Sequence, residues 1–383
     1  MNEDKGTRYR RVERGLRVIE IAASVIALAV LTLGSLPLAL RDGAARVFDH
    51  LGLPAGVPRD TATAVVVLGA TLLVPALAGL PFALRREGPI ARRFGLPAVP
   101  ARAVVRSRLR RGVIAVLGGG AAWALVASLA RPFPLLAGLL TLTFALVVAA
   151  IVMVVAPWAI AWSPRVRPVR DEAITGRLHA LASRAQIRLA GLHEWVDGLH
   201  GDQANAALVG VVGPRRLLLS DTLIEGCSPE EMDAVVAHEL GHHVHGHTWR
   251  RVRGQAACVL LAGLGAQVAA AGPAAWWSGT GGMSDPASIP WMVAAAGAIW
   301  LASRPWRLAQ SRTHEAEADA FALALTSRPD VLERVLARLG ARNLTSDDES
   351  LLTRAFFLTH PPIPARIAAA RRAAVRTGVD TRD

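Results

Sequence analysis

The sequence predicts a mainly α-helical polytopic membrane protein with about six transmembrane helices and one cytoplasmic α+β domain carrying a small β-hairpin or sheet. Three observations predict it. The first is composition: of 383 residues, 52% are hydrophobic and 19% charged, with a mean hydropathy of +0.35, which excludes an ordinary soluble enzyme and a disordered chain alike. The second is a series of uncharged runs near the roughly 20 residues needed to cross a bilayer core of about 30 Å. The third is where the arginines fall between those runs.

Six runs stand out: 18–40, 61–84, 113–130, 135–162, 256–277 and 287–303. The first carries Glu20, and the last is the shortest, with Trp291 and Trp300 placed to anchor its ends at the two interfaces. Runs beyond about 18 residues are rare in soluble cores, so each long run reads as a span. Before the first run lie Lys5, Arg8, Arg10, Arg11, Arg14 and Arg17, and residues 85–112 hold nine arginines, a segment that reads as a solvated loop facing lipid headgroups. The alternate loops hold only Arg41, Arg46 and Arg59, then Arg131, then none over 278–286. Cytoplasmic loops keep the positive charge, which sets the N-terminus, the insert 163–255 and the tail 304–383 inside.

This divides the chain into an N-terminal membrane region (1–162), a cytoplasmic segment (163–255), a transmembrane hairpin (256–303) and a C-terminal helical segment (304–383). The net charge of +13 sits beside apolar runs and so reads as topology, not as a nucleic-acid surface. Arginine and alanine richness goes with GC-rich bacterial coding, which points to a bacterial inner membrane. Two cysteines, Cys227 and Cys258, are too few for a disulfide framework or a thiolate metal site. Any metal must be held by histidine and carboxylate.

Within the insert, residues 171–190 have helical spacing, with Ile174, Leu178, Leu181 and Ala185 on one face. Residues 204–212 and 216–219 are β-type runs around Gly213-Pro214-Arg215, a hairpin signal. Ser228, Pro229 and Glu231 then form a capping box, predicting a helix to about residue 245.

That helix contains His238-Glu239-Leu240-Gly241-His242. Residues four apart share a helix face, so two imidazoles can meet one ion while Glu239 reaches a water on it, the HExxH zinc arrangement. Five of the chain's eleven histidines lie between 238 and 247. His243, His245 and His247 do not match the metzincin spacing, and are left out of the ligand set. A catalytic zinc takes three protein ligands and keeps one position open, so the third comes from elsewhere. In the segment 311–320, Glu315 and Asp319 are four apart. Glu315 is assigned as ligand and Asp319 as the carboxylate taking a ligand histidine's other N–H. Glu317, about 200° round the helix from Glu315, and His314 read as solvated.

The strings Asn205-Ala206, 219–223, 228–231, 238–242, Ser311-Arg312 with Glu315 and Asp319, and His360-Pro361-Pro362 with Arg366 resemble, in content and order, the type I CAAX prenyl endopeptidases and the bacterial heat-shock membrane metalloproteases. The resemblance covers about residues 165–375. It implies a gluzincin-type zinc endopeptidase, its site at the cytoplasmic face or in an intramembrane chamber. His238, His242 and Glu315 would be the ligands and Glu239 the general base. Asn205 would hold the substrate backbone as an added strand, and His360 and Arg366 would stabilise the oxyanion. Two departures stand: Ala365 lies where the family often has Glu, and six spans are counted where the eukaryotic enzymes have seven.

The expectation is peptide-bond hydrolysis on polypeptides, membrane proteins or peptides, at the lipid bilayer with no nucleic acid, in membrane-protein quality control or peptide processing. Two alternatives are a signalling protease that cleaves a cytoplasmic repressor and a non-catalytic metal-binding membrane scaffold. A structural zinc takes four protein ligands and has no need of Glu239.

Overall fold

The computed structural model describes residues 5–130, 166–195, 206–210, 215–342 and 350–377, with the isolated positions 139, 143, 146 and 147. Contacts divide the chain into two compact units, one of residues 8–148 and 256–303 and one of residues 1–7, 149–255 and 304–383.

Helix α1 spans Lys5–Val30, α2 Leu36–His50, and α3 Val57–Arg85, which continues through a π-helical turn at Arg86–Ile90 and a last turn at Ala91–Arg93. Helix α4 spans Ala101–Ala130. The run 18–40 is therefore not one helix. Gly34 takes φ +52°, open to glycine at no steric cost, and Pro37 starts α2 near its N-terminus, where its missing N–H leaves no bond unmade. The nine-arginine stretch is also mostly helical, contrary to the loop expected. Arg86 and Arg108 both donate to Glu20, and Arg86 also to Glu87, so these charges are turned inward on each other. The run 135–162 lies outside the described residues.

The second unit contains β1 (Val166–Pro168), α5 (Glu172–Arg184), β2 (Leu189–Trp195), β3 (Ala206–Val209), β4 (Arg215–Ser220), α6 (Asp221–Gly226) and α7 (Pro229–Val244). Asp171 caps α5 with its side chain, as helical spacing requires, but the helix ends at Arg184 and not at residue 190. Gln186 sits at φ 56°, which no helix continues, and the chain emerges as β2. The sheet order is β1-β2-β4-β3, with β2 and β4 parallel and the other two pairs antiparallel. The β3–β4 pair is the expected hairpin pairing, Ala206 opposite Leu219 and Val209 opposite Arg216. Leu217 and Leu219 of β4, Leu178 and Leu181 of α5, Leu223 of α6 and Val236 and Leu240 of α7 form one buried core.

Helix α8 (His247–Ala271) follows, then α9 (Pro273–Ser278), α10 (Ile289–Ala302), α11 (Arg304–Thr326), α12 (Pro329–Arg342), α13 (Leu351–Phe357) and α14 (Ile363–Thr377). Three helical stretches among the described residues, Val57–Arg93, His247–Ser278 and Pro286–Thr326, are long and apolar enough to cross a membrane. They contain the runs 61–84, 256–277 and 287–303, and the run 113–130 lies within α4.

Candidate metal centre

The register of α7 is set at its first turn. Ser228 Oγ accepts from Glu231 N while the Glu231 carboxylate accepts from Ser228 N, so both orphan donors of the helix start are satisfied. Ten residues on, His238 and His242 lie one turn apart on the face that meets α11. Gly241 lies on the same contact: a Cβ there would stand 3.1 Å from the Ala318 Cα and 3.2 Å from the Ala318 carbonyl oxygen. The absence of a side chain at 241 lets the two backbones approach, and that approach brings Glu315 and Asp319 to the histidines.

Three ligand side chains converge. The Nε2 atoms of His238 and His242 are 3.1 Å apart, Glu315 Oε2 is 3.5 Å from His238 Nε2, and Glu315 Oε1 is 3.6 Å from His242 Nε2. Among the described residues these three are the histidine, cysteine and carboxylate group that could hold a metal ion, with all ligand atoms within 4.8 Å of one another. A tetrahedral zinc with bonds of about 2.0–2.1 Å has ligand-to-ligand edges of about 3.3 Å, so the spacing fits such an ion. Nitrogen and carboxylate donors are its ordinary ligands.

Behind the ligands, Asp319 Oδ1 is 3.0 Å from His238 Nδ1. A carboxylate there takes the Nδ1–H and leaves the Nε2 lone pair directed at the ion's position. Asp319 is itself gripped by Arg366 through Nε at 2.7 Å and Nη2 at 2.6 Å. Arg366 is thus a support for the support; it is not among the residues lining the cavity described below. His360 Nδ1 lies 2.8 Å from Glu315 Oε2.

The two ligand histidines are shifted in opposite directions. Burial lowers the His238 pKa, but hydrogen bonds from Asp319 and Glu315 outweigh it and raise the group to about 9. His242 is pushed the other way, to about 3, by burial and by the neighbouring His238. Burial lifts the Glu239 carboxyl to about 7, against the pull of His238 and with a further push from Glu315. A carboxyl near 7 can both take and give a proton at neutral pH.

Glu239, His242 and Glu315 open into a cavity of about 470 Å³, lined also by Leu208, His243, His247, Thr248, Arg251, Ser311, Thr359 and His360. Asn205 lies outside the described residues. Of the histidines left out of the ligand set, His243 lines the cavity, and its Nε2 accepts from Arg215 Nε at 3.0 Å. His247 is not peripheral: its Nδ1 is 2.8 Å from His242 Nδ1, and its Nε2 is 2.7 Å from Glu317 Oε2. The solvated reading of Glu317 and His314 is corrected accordingly. Glu317 binds His247 and Arg250, and His314 is buried with its ring stacked on His247 at 4.2 Å and 12°. The face of α11 carrying them packs against the start of α8, which helical spacing within α11 alone does not reveal.

The sequence model of the family described as Peptidase family M48 matches residues 168–374, more than half of the chain. The chain belongs to peptidase family M48. It is 30% identical over 208 residues to a CAAX prenyl protease 1 homolog of Arabidopsis thaliana, covering 53% of this chain and 48% of that one. It is 24% identical over 211 residues, covering 54% of this chain and 49% of the other, to a Bacillus subtilis (strain 168) protein named uncharacterized metalloprotease YhfN. The chain spans about half the length of the curated relatives it matches. The solved structure of S. mikatae Ste24p shares the fold, with a TM-score of 0.76 at 20% identity over 96% of this chain and 88% of that one. The matched segment of the M48 family contains every member of the cluster just described, from His238 to Arg366.

Proposed function

We propose that this M48 chain is an integral membrane zinc endopeptidase that hydrolyses peptide bonds in polypeptides, membrane proteins or peptides, on the cytoplasmic side of a bacterial inner membrane. Its role is quality control or peptide processing. The observation that carries the reading is the convergence of the His238, His242 and Glu315 side chains, with ligand atoms within 4.8 Å of one another, beside the half-buried Glu239 carboxyl at the wall of a cavity. In this reading the arginine bias sets the N-terminus inside and the apolar runs supply six crossings, the first made by the helix Lys5–Val30 that ends before the turn at Gly34.

His238, His242 and Glu315 would hold the ion. Zinc bound there supplies Lewis acidity, polarising a peptide carbonyl and lowering the pKa of water from about 15.7 to about 7. The remaining work belongs to the chain. Glu239 takes the proton of the attacking water and returns it to the leaving amide nitrogen. Asp319, held by Arg366, fixes the tautomer of His238. His360, at the cavity wall, would donate to the oxyanion that forms on the attacked carbonyl, and Asn205 would hold the substrate backbone.

The test is Glu239→Gln in detergent-purified protein, with metal content and cleavage of an unstructured peptide measured together. The variant is expected to retain one zinc per chain and to lose hydrolysis by about 10²–10⁴-fold. Turnover at the wild-type rate removes Glu239 as the base, and wild-type cleavage that survives complete chelation of metal removes the ion from the reaction.

A further inference from the structure

We propose that His247 and Glu317 are positioning residues for the ligand His242, joined in a relay in which His242 donates its Nδ1–H to His247 and His247 donates its Nε2–H to Glu317. The proposal rests on the reading of His238, His242 and Glu315 as a metal site.

The hydrogen-bond directions follow from what each group can do. Two imidazole nitrogens 2.8 Å apart, Nδ1 of His242 and Nδ1 of His247, need one donor and one acceptor. At the far end Glu317 lies 2.7 Å from His247 Nε2. Glu317 also receives two N–H groups from Arg250, which hold it as a carboxylate and therefore as an acceptor only. His247 Nε2 must then carry the hydrogen, and the Nδ1 of a neutral His247 is left with a lone pair. The hydrogen between the two rings consequently belongs to His242, and the Nε2 of His242 faces the cluster bare. The reverse arrangement would put a hydrogen on His242 Nε2, 3.1 Å from His238 Nε2, where an ion must bind. One proton arrangement of this chain of groups is compatible with a metal.

The surroundings hold His247 in place for the task. It is 1% exposed, and the near-parallel rings of His314 and His245 lie against it at 4.2 Å and 5.6 Å. His314 has no hydrogen-bond partner on either ring nitrogen among the described residues, so what it contributes to His247 is a flat face. The two ligand histidines are therefore supported unequally. His238 rests directly on a carboxylate, whereas His242 reaches its carboxylate through a second imidazole. Groups that orient a ligand histidine are typically worth about 10–100-fold in metal affinity.

The experiment measures zinc affinity by chelator competition, and the absorption spectrum of the cobalt-substituted protein, on the full chain in detergent. His247→Ala is expected to bind zinc about 10–100-fold more weakly and to alter the cobalt spectrum. Glu317→Ala is expected to show a smaller loss, and the double variant no more than His247→Ala alone, because the two act in series. His247→Gln, whose amide can accept from His242 and donate to Glu317, should recover much of the affinity, which separates orientation from a general packing role. His314→Phe keeps the flat face and should bind zinc as the wild type does. Wild-type affinity and spectrum in His247→Ala overturn the relay, as do losses in the two single variants that simply add. A wild-type chain that takes up no zinc overturns the metal-site reading itself and the relay with it.

Discussion

In the unit built from residues 149–255 and 304–383, the core beneath the sheet and its helices is apolar, with Leu178, Leu217, Leu219 and Leu240 fully buried, and the buried polar side chains His247, His314, Glu315 and Asp319 gather at the metal cluster. The unit built from residues 8–148 and 256–303 buries an apolar cluster of Ala64, Val67, Trp123 and Ile289, but it also carries large apolar side chains on its outside. Leu73, Ile114, Leu117 and Leu261 stand more than half exposed, while Glu13 is buried and Glu20 lies among Arg86 and Arg108. The same preference for removing apolar surface from water produces both, given two solvents: one unit folds against water, and the other leaves its oily faces for hydrocarbon and gathers its charges inward. The sharpest test is a matched pair of truncations. Leu178→Ala opens a cavity in the first unit and is expected to cost about 3–5 kcal/mol. Leu117→Ala, on an outer face of the second, is expected to cost under about 0.5 kcal/mol. Thermal unfolding in detergent measures both, and equal losses would break the contrast.

A second pair asks what lies outside each unit. Val244 of α7 and Leu264 of α8 are about equally exposed, at 47% and 51%. If water faces the first and lipid the second, arginine should be tolerated at one and not at the other. Val244→Arg is expected within about 0.5 kcal/mol of wild type. Leu264→Arg is expected to oppose insertion by about 2.5–3.5 kcal/mol at mid-span and less towards an interface. The fraction of chain recovered in the membrane after alkaline extraction reads the difference, and equal recovery would remove the assigned lipid face.

The two units also differ in how far their sequences could be read. Single-helix periodicity carried the metal cluster: His238 with His242, and Glu315 with Asp319, are pairs four apart, and a helix face needs nothing else to be recognised. It failed where a helix ends. A continuous α7 would carry His247 about 140° away from His242. Instead α7 stops at Val244, Gly246 turns the chain at φ +63°, and α8 opens with His247 pointed back. A glycine after a helical run is the usual sign of such a stop. The same effect hid β2, where helical spacing ran on past the break at Gln186. Arg366 on Asp319 was out of reach for another reason: 47 residues separate them, and no local pattern encodes that meeting. In the other unit the apolar runs marked helices over 61–84 and 113–130 well. They did not show that Gly34 interrupts the first run, because a turn of apolar residues has the composition of a span.

The smallest expected effect concerns glycine, and it distinguishes what close helix packing is for in each unit. A Cβ at Gly265 would meet only the tip of the Ile299 side chain, which can rotate away. Alanine in a helix interior gains about 0.5–1 kcal/mol over glycine, so Gly265→Ala should be neutral or mildly stabilising. At Gly241 the obstacles are the Ala318 backbone, at 3.1 and 3.2 Å, and the Cβ of Phe321 at 3.1 Å, none of which can swing aside. Overpacking of this kind costs about 1–3 kcal/mol, which the helical gain offsets only in part. The net loss should be modest, but it has a direction. Relief requires α11 to move off α7 by a few tenths of an ångström, carrying Glu315 away from His238 and His242. Gly241→Ala should therefore weaken zinc binding more than its loss of thermal stability in the metal-free protein alone would suggest. Unchanged zinc affinity in a destabilised Gly241→Ala would mean that this contact serves packing only, as the one at Gly265 does.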